Sequence, residues 1–382
     1  MAIGLYIAAF AAVGAVLPYI PVYFESLGLP LGAIGLVTAL AALCGLIAAP
    51  TWGVIADQGV GARGALVSAA LLASAAAFVV AAAPVAIIAV LAWIVYQASF
   101  AGVSPVLDAF ALDQVGANQH RYARFRVWGS ASFVVSVIAV GYLIQQTQLH
   151  QMFVVLLACL TACVLLALLV PAKTAGPARR SLSGLRTVLR TKPLMAFIGA
   201  VLVVWSASSM INGFYSIYLT ALGTPAGLIG SAWALGAVVE VPVMLAFPAL
   251  AGRFGVNRLL VFGAACLLLR AVIVVAATDP LLVVGTMALH GLGYALVLVG
   301  GVTYVASKAP LGSAATAQGV LAGVVFGLSS AIGPGIAGVI AGASSVHSMF
   351  TVAAAASALG VVAVALAVGW YARRAAAVAT AA

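Results

Sequence analysis

Charged residues are scarce in this chain, and acidic residues are the scarcest. Only 6% of the 382 residues are charged, against about 25% in a soluble domain. The sequence has no Walker A motif, no Gly-x-Ser-x-Gly motif and no histidine-rich metal spacing. It also has no polar region long enough to form a soluble receptor domain. We therefore expect no enzyme, no metal site and no bound cofactor.

Cysteine is rare as well, and its placement argues against a redox or metal framework. The four cysteines, at positions 44, 159, 163 and 266, lie in apolar sequence without a CxxC pair. We interpret them as small buried hydrophobic residues. The net charge of +10 comes mainly from basic residues in short loops, which does not indicate nucleic-acid binding. Because the N-terminus lacks a basic n-region, its first apolar run is predicted to be a retained span.

Apolar residues fill most of the chain. They make up 66% of it, and the mean hydropathy is +1.28. A membrane-spanning helix needs about 20 such residues, so the fold class is predicted to be an all-α membrane protein. Cutting the sequence at polar and Pro/Gly positions predicts twelve spans, at 3–24, 32–55, 64–83, 85–109, 125–145, 151–171, 194–220, 226–250, 258–277, 280–306, 313–341 and 347–371.

The basic residues predict the orientation of these spans. Every lysine and arginine except Arg126 and Arg270 falls in an even-numbered loop or in the C-terminal tail. Cytoplasmic loops are enriched in such residues. We therefore expect both termini to be cytoplasmic, in the bacterial cytoplasmic (inner) membrane.

One longer loop, 172–193, divides the predicted spans six and six. This predicts an N-terminal bundle at 1–171, a cytoplasmic linker at 172–193 and a C-terminal bundle at 194–382. The two halves have a similar feature at the same place, because a Gly-rich loop follows the second span of each half, at 53–63 and at 252–258. Such parallel repeats are typical of transporters that bind their substrate at midplane between the halves. The basic linker is either a solvated connection or a contact for anionic membrane lipids.

Asp108 and Arg126 are ionisable residues set into predicted spans 4 and 5. A charge inside a membrane is costly and should face the bundle interior with a partner. Because the two spans are antiparallel neighbours, the two residues are predicted to pair directly.

Glu240, Arg270 and His290 lie near the middle of predicted spans 8, 9 and 10. A carboxylate at the depth of Glu240 must be protonated or paired, so it either carries a coupling proton or forms a static pair with Arg270. His290 is either a satisfied buried histidine or a relay or substrate contact. Arginine suits a carboxylate, so Arg126 and Arg270 are candidates to hold an anionic substrate.

Aromatic and neutral polar residues complete the candidate substrate site. Trp233 precedes Glu240 by two helical turns and is predicted to share its face. Phe133 and Tyr215 are further aromatic candidates, and Asn212 belongs to a polar stripe in span 7. Each of these residues has a structural alternative, which is packing for the rings and helix–helix hydrogen bonding for the stripe.

Several motifs resemble those of the major facilitator superfamily. Gly53-xxx-Asp57 followed by Arg63 resembles its signature between helices 2 and 3, with one extra residue before the arginine, and the resemblance implies a cytoplasmic latch. PVLDAF followed by YARFRVWGS resembles the phenylpropionate-permease and lactose/proton-symporter branch, in which an acid on helix 4 pairs with an arginine on helix 5. The histidine of span 10 and the Trp-x-Leu-Gly-xxx-Glu pattern of span 8 agree with the same branch. Serines and Asn212 replace the helix 7 acids of the lactose symporter, which favours the phenylpropionate type.

The resemblance implies a major facilitator fold of two pseudo-symmetric six-helix bundles that works by alternating access. It implies proton-coupled uptake of a small organic solute, such as an aromatic or other organic acid, driven by the proton gradient. Asp108, Glu240 and His290 would then serve proton coupling. Drug or metabolite export, sugar or nucleoside uptake, and a receptor or scaffold role are the alternatives. We expect a monomer whose partners are the substrate, protons and membrane lipids.

Overall fold

A computed structural model of the protein describes the backbone of residues 1–115, 119–171 and 183–381. Side chains are described except at 113–124, 172–184 and 370–382, so much of the predicted linker lies outside the described residues. Regular structure in the described chain is entirely helical. Its helices are α1 Ala2–Val16, α2 Ile20–Ser26, α3 Leu31–Ile55, α4 Gly61–Ala82, α5 Ala86–Phe100, α6 Val103–Val115, α7 Gln119–Gln146, α8 Gln151–Leu168, α9 Ser183–Arg190, α10 Lys192–Ala221, α11 Ala226–Phe254, α12 Val256–Ala276, α13 Pro280–Lys308, α14 Ala314–Ala322, α15 Ser329–Ala343 and α16 Val346–Ala381.

Within the described residues, 11 continuous helical segments are long and apolar enough to cross a membrane. One of them, Leu31–Ala82, has 52 residues. A straight helix of that length would extend about 78 Å, more than twice the roughly 30 Å hydrocarbon core. Its two parts, α3 and α4, both pack against the 15-residue helix α5, so they fold back on each other. This segment therefore supplies two spans, and all twelve predicted spans have a helix.

The turn between α3 and α4 explains the extra residue in the Asp57–Arg63 spacing. Ala56–Val60 forms a π-helical turn, and Gly61 follows with a φ of 70°. A π-turn accommodates one residue more than the corresponding α-helical turn. Only glycine adopts this positive φ without steric cost. The insertion is therefore absorbed locally, in the loop that carries the predicted latch.

The prolines inside the spans do not all interrupt their helices. α11 continues through Pro242 and Pro248, although Pro242 removes a backbone donor beside Glu240. α15 likewise continues through Pro334, where the sequence suggests a kink. The irregular segment of that span is instead the π-helical stretch Gly323–Leu328, which joins α14 to α15.

The chain forms two compact units, one of Met1–Arg179 with Ser216–Ala234 and the other of Arg180–Tyr215 with Leu235–Ala382. In the first unit, α1 is central and packs against α7 and α8. Gly14 makes this possible, because a Cβ there would lie 2.8 Å from the carbonyl oxygen of Phe133. In the second unit, α12 packs against α13 and α16. The division at 1–171, 172–193 and 194–382 stays a prediction.

Candidate functional site

The candidate site of the second unit is built around Arg270 on α12. Its side chain is only 1% exposed and donates from NH1 to Asn212 Oδ1 at 2.9 Å. NH1 also lies 3.1 Å from His290 Nδ1, and NH2 lies 3.3 Å from Met287 Sδ. The guanidinium carbon is 5.2 Å from the ring centre of Tyr215. Three helices, α10, α12 and α13, thus meet at one buried cation.

The position of Arg270 on α12 explains its burial. Gly263, Leu267, Arg270 and Val274 are all buried, at the spacing of four and three residues that defines one helical face. Arg270 therefore occupies a core position that an apolar residue would ordinarily fill. The chain has placed a permanent charge at the packing face of α12.

Arg270 determines which nitrogen of His290 carries the proton. A guanidinium only donates hydrogen bonds, so Nδ1 of His290 must accept, and the proton lies on Nε2. His290 is half-buried, and in the described part of the chain no hydrogen bond uses its Nε2. The ring therefore presents a donor N–H that Arg270 holds in place.

The described partners of Arg270 carry no negative charge. Asn212, His290, Met287 and Tyr215 are neutral groups in this arrangement, and Nε of Arg270 is buried without a hydrogen-bond partner. Among the described residues, no ion pair joins Glu240 to Arg270, so the static pair considered from the sequence is not formed. An uncompensated buried charge costs several kcal/mol. An anionic group at this position would compensate the charge.

The helix that carries Glu240 is in tight contact with the helix that carries His290. A Cβ on Gly291 would lie 2.2 Å from the carbonyl oxygen of Gly236, and a Cβ on Gly236 would lie 3.7 Å from His290 Cδ2. Glu240 follows Gly236 by one helical turn and is half-buried. The backbones of the two helices can approach this closely because both contact positions are glycine.

In the first unit, Asp108 and Arg126 both contact α1. Asp108 accepts a hydrogen bond from the Tyr6 hydroxyl at 2.5 Å. The guanidinium carbon of Arg126 lies 4.2 Å from the ring centre of Phe10, a cation–π contact. Within the described residues no ion pair joins Asp108 to Arg126, which corrects the direct pairing predicted from the sequence. Two aromatic residues of α1, one helical turn apart, take the place of that pair.

The other aromatic residues predicted for the substrate site differ in the contacts that they make. Tyr215 donates its hydroxyl to the Val283 carbonyl at 2.9 Å, so its ring, not its hydroxyl, faces Arg270. Trp233 donates from Nε1 to Ser216 Oγ at 3.2 Å. Phe133 is half-buried and contributes its carbonyl to the α1 contact described above.

The predicted latch residues lie around the π-turn. Gly53 is in the last turn of α3, Asp57 is in the π-turn itself, and Arg63 is in the first turn of α4. All three are half-buried. The three residues therefore lie around the turn that joins α3 to α4.

Sequence reasoning missed Tyr6, Phe10 and Met287. Tyr6 and Phe10 are the only aromatic residues of α1, and their spacing of four places them on one face. That spacing was the available signal for a joint role. Met287 gives no signal, because a methionine in an apolar span is ordinary packing.

Comparison with known proteins places the chain among transporters. The model of the MFS_1 like family matches residues 2–352. The maltose permease of Geobacillus stearothermophilus is 29% identical over 329 residues, which is 85% of this chain and 83% of the permease. The probable 3-phenylpropionic acid transporter of Escherichia coli strain K12 is 25% identical over 213 residues, 55% of this chain and 56% of that protein. The crystal structure of the nucleoside transporter NupG superposes with a TM-score of 0.85 at 16% identity and covers 96% of this chain and 98% of NupG.

Proposed function

This chain belongs to the MFS_1 like family of membrane transporters, and from that premise we propose that it takes up a small organic acid together with protons. The observation that carries the proposal is the buried Arg270, whose described partners are all neutral and whose Nε is unused. A carboxylate is the natural counter-ion for such a guanidinium. The chain has the predicted all-helical major facilitator fold of two six-helix bundles, and we propose that it works by alternating access.

Each of the remaining candidate residues is assigned one type of interaction with the substrate. Within the first unit, Arg126 is a separate candidate cation, stacked on Phe10. The Nε2 donor of His290 and the amide of Asn212 can hydrogen-bond polar groups of the substrate. The ring of Tyr215, which faces Arg270, provides apolar surface for an aromatic or aliphatic body, while the substrate contacts of Phe133 and Trp233 stay predictions. These features together favour an organic acid with a hydrophobic part.

Proton coupling is assigned to Glu240, with Asp108 and His290 assisting. Glu240 is a half-buried acid within a membrane span, one turn from the His290 contact. A carboxyl at such a position changes its protonation when its surroundings change. The proton gradient is then the driving force and no cofactor is needed. The proposed setting is the bacterial inner membrane, with both termini cytoplasmic, a monomer, and Gly53, Asp57 and Arg63 at the cytoplasmic latch.

A screen of transport in reconstituted vesicles tests the proposal. Vesicles under an inward proton gradient are offered labelled aromatic and aliphatic acids, maltose, nucleosides and hydrophobic drugs in parallel. We expect concentrative uptake of acids that a protonophore abolishes. If the vesicles accumulate none of the acids but extrude drugs or concentrate a neutral solute, the organic-acid proposal fails.

Sugar uptake is the second candidate, because a maltose permease is 29% identical over most of both chains. Asn212 and His290 are neutral groups able to hydrogen-bond hydroxyls. The same screen separates the two candidates, since uptake of maltose without uptake of acids favours the sugar.

Replacing Glu240 with glutamine should uncouple transport from the proton gradient. The amide keeps the size and hydrogen bonding of a protonated carboxyl but cannot release a proton. We expect exchange of labelled for unlabelled substrate to continue while concentrative uptake is lost. Glu25→Gln, which makes the same change at an exposed acid of α2, should leave both activities intact. Concentrative uptake by the Glu240→Gln protein would contradict the assignment.

A further inference from the structure

Asp108 and Arg126 are opposite charges of the first unit that contact the same helix but do not pair with each other. Asp108 lies on α6 and Arg126 on the adjacent helix α7, and both side chains contact α1. Both are half-buried. An ionisable residue in a membrane span usually pairs with an opposite charge where one is near. The contacts with α1 therefore have to explain why this pair is not formed.

Tyr6 is the residue of α1 that holds Asp108. Its hydroxyl donates to Asp108 Oδ1 at 2.5 Å, a length typical of an O–H donor on a carboxylate. Tyr6 is 0% exposed and belongs to the apolar core of the first unit. Because close packing fixes the ring, its hydroxyl stays at one place and keeps the Asp108 carboxyl there.

Phe10, one helical turn further along α1, is the corresponding contact of Arg126. The guanidinium carbon lies 4.2 Å from the centre of its ring. Gly129 leaves room for this contact, because a Cβ there would lie 2.9 Å from Phe10 Cδ2 and 3.3 Å from Arg126 NH1. A cation–π contact uses none of the five N–H donors of a guanidinium. Within the described residues Arg126 makes no hydrogen bond and no ion pair, so these donors are available.

We propose that Tyr6 and Phe10 are positioning residues that keep Asp108 and Arg126 apart, so that the donors of Arg126 stay open to an anionic substrate. The two ring centres are 6.3 Å apart, a distance that a long and flexible arginine side chain can cross. Without the Tyr6 hydroxyl, the Asp108 carboxylate competes with the substrate for the same donors. The role in substrate binding rests on the proposed uptake of an organic acid, whereas the separation of the two charges does not.

A double-mutant cycle in the substrate-free, full-length protein tests the separation. Asp108→Asn and Arg126→Gln are made singly and together, both in the wild type and in Tyr6→Phe, and the Tm of each protein is measured. Residues that do not interact have additive effects, and residues that pair do not. We expect additive Tm shifts in the wild type and a departure from additivity of roughly 1–2 °C in Tyr6→Phe, where the two charges pair. Phe10→Leu, which removes the ring under Arg126, should give the same departure, and additive shifts in all three backgrounds would overturn the proposal.

Equilibrium binding of benzoate, phenylacetate and hexanoate at one fixed pH tests the role in substrate binding. Tyr6→Phe should raise the Kd of the bound acid about five- to tenfold in the wild type. The same change should have no effect in an Asp108→Asn background, where the competing carboxylate is missing. Tyr23→Phe is the matched control, because it removes the hydroxyl of another buried tyrosine, which donates to the Val80 carbonyl at 3.0 Å. This control should bind acids as the wild type does.

The two measurements separate the possible failures. If Tyr6→Phe weakens acid binding equally with and without the Asp108 carboxylate, Tyr6 contributes only packing and its positioning role is refuted. If the wild type binds none of the acids but the Tm cycle behaves as expected, the organic-acid proposal fails and the separation of Asp108 from Arg126 stands.

Discussion

Replacing Arg270 with glutamine is expected to abolish uptake of the organic acid while leaving the protein at least as stable as the wild type. The buried guanidinium has neutral partners and an unused Nε, so its charge is uncompensated before substrate binds. Removing such a charge relieves a cost of several kcal/mol. Glutamine can still donate to Asn212 Oδ1 or His290 Nδ1. The cation that receives the carboxylate, however, is gone.

The expected loss of affinity follows from the bonds removed. A hydrogen bond to a charged group contributes about 1.5–3 kcal/mol, which corresponds to roughly 10- to 150-fold in Kd. Arg270→Lys should recover little, because an ammonium cannot reproduce the planar fork that contacts Asn212, His290 and Met287 together. Substrate binding and Tm are measured on the same preparations, with Arg253→Gln as the exposed-arginine control.

The outcome separates a binding role from a structural one. If Arg270 serves only to hold α10, α12 and α13 together, the glutamine variant loses stability and its remaining folded fraction binds acid normally. If the substrate is a neutral sugar, binding falls less, because no carboxylate loses its counter-ion. If the variant keeps its stability but loses binding, Arg270 serves substrate binding at a cost to the stability of the protein.

The spans could be predicted from the sequence because their length is fixed by the membrane. Apolar runs of the required length place every span within a few residues, and polar or glycine positions mark the ends. The π-turn at Ala56–Val60 was visible only as one extra residue between Asp57 and Arg63. Sequence alone could not show where that residue was absorbed, because several backbone irregularities accommodate a single insertion.

The members of the Arg270 cluster were predictable for a related reason. Asn212, Arg270 and His290 are conspicuous as polar residues in apolar spans, and such residues turn towards the bundle interior. Their partners were not predictable. A helix that is apolar around most of its circumference gives no signal of its rotation, so sequence could not show that Arg270 meets Asn212 and His290. The same ambiguity hid Tyr6 and Phe10, which occupy the places where a direct Asp108–Arg126 pair was expected.

The second large effect is expected at the contact between α11 and α13, where Gly291→Ala should destabilise the protein and impair transport. The added Cβ would lie 2.2 Å from the Gly236 carbonyl oxygen and 3.1 Å from Val239 Cβ. Backbone atoms cannot move aside as a flexible side chain can, so the helices must separate. Overpacking of this kind costs typically about 1–3 kcal/mol. It also shifts α11, which carries Glu240 one turn after Gly236, relative to His290 on α13.

Gly285→Ala is a matched control on the same helix, because nothing lies within 4 Å of its Cβ position. In an open helix position, alanine is favoured over glycine by about 1 kcal/mol. The two substitutions should therefore shift Tm in opposite directions, with Gly291→Ala lowering it and Gly285→Ala leaving it unchanged or raising it. Proton-driven uptake should fall only in Gly291→Ala. Equal Tm shifts would mean that α11 and α13 do not approach each other this closely at Gly291.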